Sequence, residues 1–203
     1  MQKTEPFGYG NFYHVFNCGI DGCNIFKEPE NYAYFLALYD KYISPIADTF
    51  AWVLMPNHFH MLVRVIDETV VDNPDGVQNP VRVEKTGTPS QQMSKLFNAY
   101  AQAFNKRFQR HGGLFERPFK RKKISGSAYL RNVILYIHNN PVHHHFCKHP
   151  LDYPWSSYLT CISMKPTKLR REQVIGWFDD EANFKYMHDG VLDIDKIEKW
   201  LEI

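Results

Sequence analysis

Two histidines inside an apolar run constrain this chain more than any other feature. In Trp52-Val-Leu-Met-Pro-Asn-His-Phe-His-Met-Leu-Val-Arg64, residues with strand character surround His58 and His60. Side chains two apart on a strand share a face, so the two imidazoles project together while Phe59 points into the opposite face. Burying paired imidazoles costs free energy unless their nitrogens are satisfied. A shared divalent cation does that and brings chemistry with it. Two separately hydrogen-bonded imidazoles satisfy the same pattern, and the motif alone leaves both readings open.

The flanking segments predict an α+β chain. Residues 12–18 read as a first strand, followed by turn signals at Gly19 and Asp21-Gly22. Tyr32, Phe35, Leu36, Leu38 and Tyr39 recur at helical spacing between Pro29 and about Ile43, with Pro45 just beyond. Residues 49–65 form a long apolar strand that Pro56-Asn57 divides. Residues 66–92 turn polar and rich in Asn, Asp, Pro, Gly and Thr, which reads as a long loop or partly disordered insert. A helix is expected from Gln92 to about Gln109, with Met93, Leu96, Phe97, Tyr100, Phe104 and Phe108 along one stripe and Gly112-Gly113 after it. Another runs from Ser127, capped by Ser125 or Ser127, to Asn140, where Pro141 ends it. Short helices are expected after Tyr158. Residues 1–160 are read as one domain, and 161–203 as its helical extension.

Two further constellations carry chemistry. Tyr136 and Asn140 lie four apart, on one helical face about a turn from each other. An amide oxygen ligates hard cations, and a phenol attacks phosphorus once its proton is dealt with, its ordinary pKa being about 10. A core tyrosine followed by an end-capping asparagine gives the same spacing. The second is basic: Lys106, Arg107, Arg110, Arg117, Lys120, Arg121, Lys122 and Lys123 stand against the single acid Glu116, with Phe108, Phe115 and Phe119 interleaved. Cations for phosphates and rings for bases suit a polyanion, an asymmetry that the net charge of +2 conceals. His143-His144-His145 is read either as an extension of that surface or as an adventitious metal-binding cluster.

Met55-Pro-Asn-His-Phe-His, Gly113-Leu-Phe-Glu-Arg-Pro-Phe-Lys, Tyr136-Ile-His-Asn-Asn-Pro-Val and Trp155-Ser-Ser-Tyr, in this order, resemble the single-tyrosine HUH transposases, nearest the REP-associated tyrosine transposases. The resemblance spans residues 12–158. It implies a ferredoxin-like antiparallel sheet with helices packed on one side and the histidine motif on a central strand. It also implies an endonuclease and strand transferase that uses Mg²⁺ or Mn²⁺ on single-stranded DNA with hairpin structure. His58, His60 and Asn140 would be metal ligands and Tyr136 the nucleophile, forming a 5′-phosphotyrosine. Tyr100 is a rival whose place on an apolar stripe argues for the core. Cys18 stands where relatives often carry arginine. Relatives include dimers and monomers, so a homodimer is compatible.

Composition excludes other classes. No apolar stretch approaches the roughly 20 residues that span a bilayer, and the N-terminus lacks a signal-peptide pattern, so a cytoplasmic, nucleoid-associated protein is expected. Cys18, Cys23, Cys147 and Cys161 form no Cys-x-x-Cys pair, and free thiols are the simpler account. A catalytically silent hairpin-binding protein and a hydrolytic or RNA-processing metalloenzyme are the alternatives.

Overall fold

The computed structural model describes residues 6–66, 87–190 and 193–201. Most of the polar insert, residues 67–86, thus lies outside the described residues. The elements are β1 (Phe12–Cys18), α1 (Pro29–Tyr42), β2 (Ala47–Leu54), β3 (His58–Val65), α2 (Pro89–Arg107), β4 (Lys120–Ile124) and α3 (Ser127–His143). They are followed by α4 (Tyr158–Cys161), α5 (Arg171–Gly176), α6 (Glu181–His188) and α7 (Ile194–Leu201). The sheet order is β2-β3-β1-β4 with every neighbour antiparallel, so β1-α1-β2-β3-α2-β4 makes the ferredoxin-like arrangement and the histidines lie on a central strand.

The division of the apolar stretch at Pro56-Asn57 is a tight hairpin. Met55 N donates to His58 O at 2.8 Å, and the Pro56 carbonyl accepts from Ile25 and Phe26 N at 2.7 and 2.9 Å. Gly19 is needed at the end of β1, because a Cβ there would collide with the carbonyl oxygen of Cys23. Its own N–H donates to Asn57 O at 2.8 Å, which ties β1 to the histidine turn.

Strand alternation sorts the side chains into two cores. Tyr13 and Val15 of β1 and Phe59, Met61, Val63 and Val65 of β3 face α1 and α2, whose Phe35, Leu96 and Tyr100 close that side. Full burial of an aromatic or aliphatic chain of this size stabilises by about 1.5–3 kcal/mol. Ala51, Val53 and Leu62 face the other way, against Val133, Ile134 and Ile137 of α3 and residues of the C-terminal helices, among them Val174, Phe178, Phe184 and Leu201. The two crossover helices do pack on one side as expected, but the opposite face is covered too, by α3 and the segment after it.

Three boundary expectations are corrected. α2 begins at Pro89, inside the stretch read as loop, because Thr88 and Gln91 form a reciprocal cap: Gln91 N donates to Thr88 Oγ1 at 3.3 Å and Thr88 N to Gln91 Oε1 at 2.9 Å. α3 is preceded by Gly126 (φ +92°) with no side-chain cap from either serine. It also continues through Pro141 to His143. A proline near a C-terminus forfeits one hydrogen bond where the helix is about to end anyway. All four cysteines are free thiols. Among the described residues no helix is long and apolar enough to cross a membrane.

Candidate active site

His58 and His60 project from β3 toward α3, and α3 presents Tyr136 and Asn140 to them. The His58 and His60 rings are 5.1 Å apart, His60 meets the edge of Tyr136 at 5.2 Å, and His58 Nε2 lies 2.9 Å from Asn140 Oδ1. All four nominated residues therefore converge across 82 positions of sequence. His60, Tyr136 and Asn140 are buried, with Asn140 at 0% exposure; His58 is half-buried.

Electrostatics make both imidazoles neutral. Burial holds His58 down to about 4, with the His144 ring adding to the effect and the Asn140 contact opposing it. Burial and then the neighbouring His14, His58 and His144 push His60 well below the ordinary histidine range. Neutral imidazole is the form that ligates a metal. A neutral ring carries one N–H, yet both nitrogens of His58 face carbonyl oxygens, Asn57 Oδ1 at 2.7 Å and Asn140 Oδ1 at 2.9 Å. At one of them lone pair meets lone pair. Exchanging the oxygen and nitrogen of Asn57 relieves this without a metal; a cation between His58 and Asn140 relieves it too. Ligands about 2.1 Å from an octahedral Mg²⁺ stand roughly 3 Å apart along an edge, which matches the observed separation. The buried Asn140 Nδ2 has no hydrogen-bond partner, and exchanging the oxygen and nitrogen of this amide gives it one at His58 Nε2. The donor set fits a divalent cation. Among the described residues no three His, Cys, Asp or Glu side chains form a metal cluster, and Asn140 Oδ1 is an oxygen donor placed within 2.9 Å of His58.

Tyr136 is 2% exposed, and its hydroxyl donates to Glu198 Oε1 of α7 at 3.3 Å. Burial, and then the charge and hydrogen bond of Glu198, raise its pKa, while Asn140 works against them. Tyr100 lies on the other face of the sheet, among Phe26, Phe35, Phe104 and Phe115. Its hydroxyl donates to Ile25 O at 2.5 Å, which is a core role.

Sequence reasoning missed His14 and Glu198. His14 is fully buried, its Nε2 meets His60 Nδ1 at 3.0 Å, and burial holds its pKa down to about 3. With His60 Nδ1 so engaged, Nε2 is the nitrogen left to face a ligand. The available signal was a histidine in a mostly apolar first strand, but the β1–β3 register that sets it beside His60 is not readable from sequence. Glu198 gave no signal.

The basic residues do not form one surface. Lys120 and Lys122 lie opposite Phe16 and His14 in the β1–β4 ladder and so share the histidine face, whereas Arg121 and Lys123, opposite Val15 and Tyr13, share the α1–α2 face. Arg107 pairs with Glu28 at 2.8 Å on the exposed end of α2. Arg110 lies over the Phe104 ring at 5.8 Å, Lys106 is exposed, and Arg117 is exposed ahead of β4. His144 alone of the triple histidine reaches the site, 5.2 Å from His58.

No family model matches the chain. A protein of Haemophilus influenzae described as "Putative REP-associated tyrosine transposase" is 28% identical over 113 residues, 55% of this chain and 58% of the relative. The chain thus matches little more than half the length of that relative. A solved structure of a REP-associated tyrosine transposase bound to a REP hairpin shares the fold, with TM-score 0.61 over 96% of this chain and 93% of that one, at 14% identity. Sequence neighbour and structural neighbour alike are REP-associated tyrosine transposases, as the motif resemblance implies.

Proposed function

We propose that this chain binds single-stranded DNA at a hairpin and cleaves and rejoins one strand there, with Tyr136 as nucleophile. His58, His60 and Asn140 would hold the divalent cation, Mg²⁺ or Mn²⁺. The observation that carries this reading is the 2.9 Å approach of His58 Nε2 to Asn140 Oδ1 beside the Tyr136 ring. Supporting it, a structural neighbour is bound to a REP hairpin.

When bound, the cation supplies positive charge to the scissile phosphate. The tyrosine oxygen would bond to phosphorus as the bond from phosphorus to the 3′ oxygen breaks, with the phenolic proton released to solvent and one taken up by the departing 3′ oxygen. A 5′-phosphotyrosine and a free 3′-hydroxyl result. Attack by a 3′-hydroxyl reverses the step, so one site cleaves and rejoins. Asn140 and Tyr136, one turn apart on α3, hold ligand and nucleophile in fixed relation, and His14 fixes the His60 ring.

A second reading, a hairpin-binding protein without catalysis, is favoured by one observation: Tyr136 is 2% exposed, with its hydroxyl on Glu198. A denaturing gel of a labelled hairpin pool with Mn²⁺ separates the two. A protein–DNA adduct from wild type and none from Tyr136→Phe supports the nuclease. Adducts from both would remove Tyr136 from the role, and binding without any adduct would leave the second reading.

A further inference from the structure

A polar groove of about 580 Å³ lies where β2 begins, between that strand and the segment entering α5. Its buried residue Asp48 stands opposite Arg64 in the β2–β3 ladder, six residues from His58 and so about 20 Å along the strand from the site above. Asp48 is 8% exposed and holds two guanidiniums. Arg64 Nη2 donates to its Oδ2 at 2.6 Å, and Arg170 Nε donates to its Oδ1 at 2.7 Å with Arg170 Nη2 2.6 Å from the same oxygen. One carboxylate does not neutralise two arginines, so a positive charge is left over. The Arg170 backbone N–H donates to Thr49 O at 2.9 Å, which fixes where that side chain starts. The side chain is 55% exposed, and its Nη1 has no partner among the described residues. Arg171 lines the same groove and is held differently: its Nη1 donates to the carbonyl oxygens of Ser163 and Lys165, which orient the guanidinium without cancelling its charge. The third lining cation, Lys168, is taken by Asp40 at 2.6 Å. The lining carboxylate Glu172 is exposed and engages neither arginine among the described residues.

Two arginines locked by the protein itself present their donors in fixed places, so the rotamer freedom a loose arginine gives up on binding is already gone. Neutral donors stand beside them. Thr167 Oγ1 accepts from Leu169 N at 3.0 Å and keeps its own proton to donate, and the exposed Gln173 amide makes no hydrogen bond among the described residues. A cation would be repelled, and an apolar ligand would leave guanidiniums, amide and hydroxyl unpaired. A carboxylate brings two oxygens and one charge, enough for one guanidinium fork. A phosphate monoester brings three terminal oxygens and about 1.5–2 negative charges at pH 7, which suits two forks with a hydroxyl or amide alongside. The volume lies within the range of small-molecule sites, about 300–1,000 Å³, and leaves room for a polar body attached to the phosphate.

We propose that this groove is a second ligand site, taking a small polar phosphate monoester whose phosphate Arg170 and Arg171 grip together. The inference is independent of the DNA reading above. Calorimetry on the full chain tests it, with EDTA present so that no metal at the histidines takes up phosphate. Glycerol 3-phosphate is expected to saturate one site per chain, and Arg170→Gln and Arg171→Gln should each weaken it about tenfold. Arg64 still pairs with Asp48 in the first variant and the second does not touch Asp48, so circular dichroism should stay native in both. Dimethyl phosphate, which carries the single charge of a nucleic-acid backbone phosphate, should bind at least about tenfold more weakly. Inorganic phosphate separates the sources: weaker binding than glycerol 3-phosphate supports an ester, and equal binding overturns the ester in favour of free phosphate. Dimethyl phosphate binding as well as glycerol 3-phosphate would overturn the dianion assignment. No saturation by glycerol 3-phosphate or inorganic phosphate, or affinity unchanged in either variant, overturns the site.

Discussion

The helix that carries Tyr136 and Asn140 is anchored between them by His138, and that anchor should make the protein acid-sensitive. Phe184 O can only accept, so His188 Nδ1 is protonated and donates to it at 2.7 Å. His188 Nε2 must then accept from His138 Nδ1–H at 2.9 Å, His138 Nε2 accepts from Ser157 Oγ–H at 2.8 Å, and Ser157 Oγ accepts from Trp52 N–H at 2.9 Å. A proton added to His188 Nε2 sets N–H against N–H, and one added to His138 Nε2 displaces the Ser157 hydroxyl proton that it accepts. Burial accordingly lowers His188 from 6.5 to about 4 and His138 well below 6.5. For a depressed histidine the unfolded chain binds the extra proton, so the stabilisation is complete above the unfolded pKa and is lost as pH falls toward the folded one. For His188 the window is 6.5 down to about 4, and at about 1.36 kcal/mol per pKa unit the full effect is roughly 3 kcal/mol. Between about pH 7 and about pH 5 roughly 2 kcal/mol of it should go. His188→Gln keeps one acceptor and one donor and removes the titration. Urea unfolding followed by circular dichroism should show the variant losing about 2 kcal/mol less than wild type over that interval. Equal losses in both proteins would refute the assigned chain of donors and acceptors.

Three other outcomes are expected. His14→Phe should weaken Mn²⁺ binding by about 10–100-fold in calorimetry while circular dichroism stays native, since the partner of His60 Nδ1 is gone; unchanged affinity would remove His14 from the site. Lys120→Ala/Lys122→Ala should flatten the salt dependence of hairpin binding by about 1.4 in log–log slope, about 0.7 for each lost single-strand phosphate contact. A slope equal to wild type would mean that the histidine face of β4 does not meet DNA. Glu198→Gln removes a charge that raises the Tyr136 pKa, so adduct should form faster near neutral pH, and a slower rate would contradict a restraining role for that carboxylate.

Local pattern carried the elements well where one residue type dominated. The strand of residues 12–18 and the break at Pro56-Asn57 were legible because alternation and proline act within a few residues. The candidate quartet His58, His60, Tyr136 and Asn140 was legible through motif resemblance, and its convergence is a property of topology. What failed had both local and distant causes. The start of α2 depended on the Thr88–Gln91 cap within a stretch whose composition reads as loop. The eight cations look like one patch in sequence, but β4 alternates four of them, Lys120 to Lys123, between two faces and Glu28 engages Arg107. His14 could be placed only once the β1–β3 register was known.

The two histidine clusters of this protein differ in how completely their polar atoms are partnered. Both are buried, both hold imidazoles in direct contact, and burial lowers the pKa in both. In the His138–His188 cluster every ring nitrogen has a partner, and the donors and acceptors close into a single consistent chain. In the other, among the described residues, stand the two buried side-chain atoms that have no partner, His14 Nδ1 and Asn140 Nδ2. An unsatisfied buried polar atom costs about 1–3 kcal/mol, and a fold that completes one such network has no packing reason to leave its neighbour open. Chains keep such locally unfavourable arrangements where function requires them. The imperfect network is the one at the end of the sheet where α3 brings a tyrosine against two neutral imidazoles, and the complete one holds that helix in place.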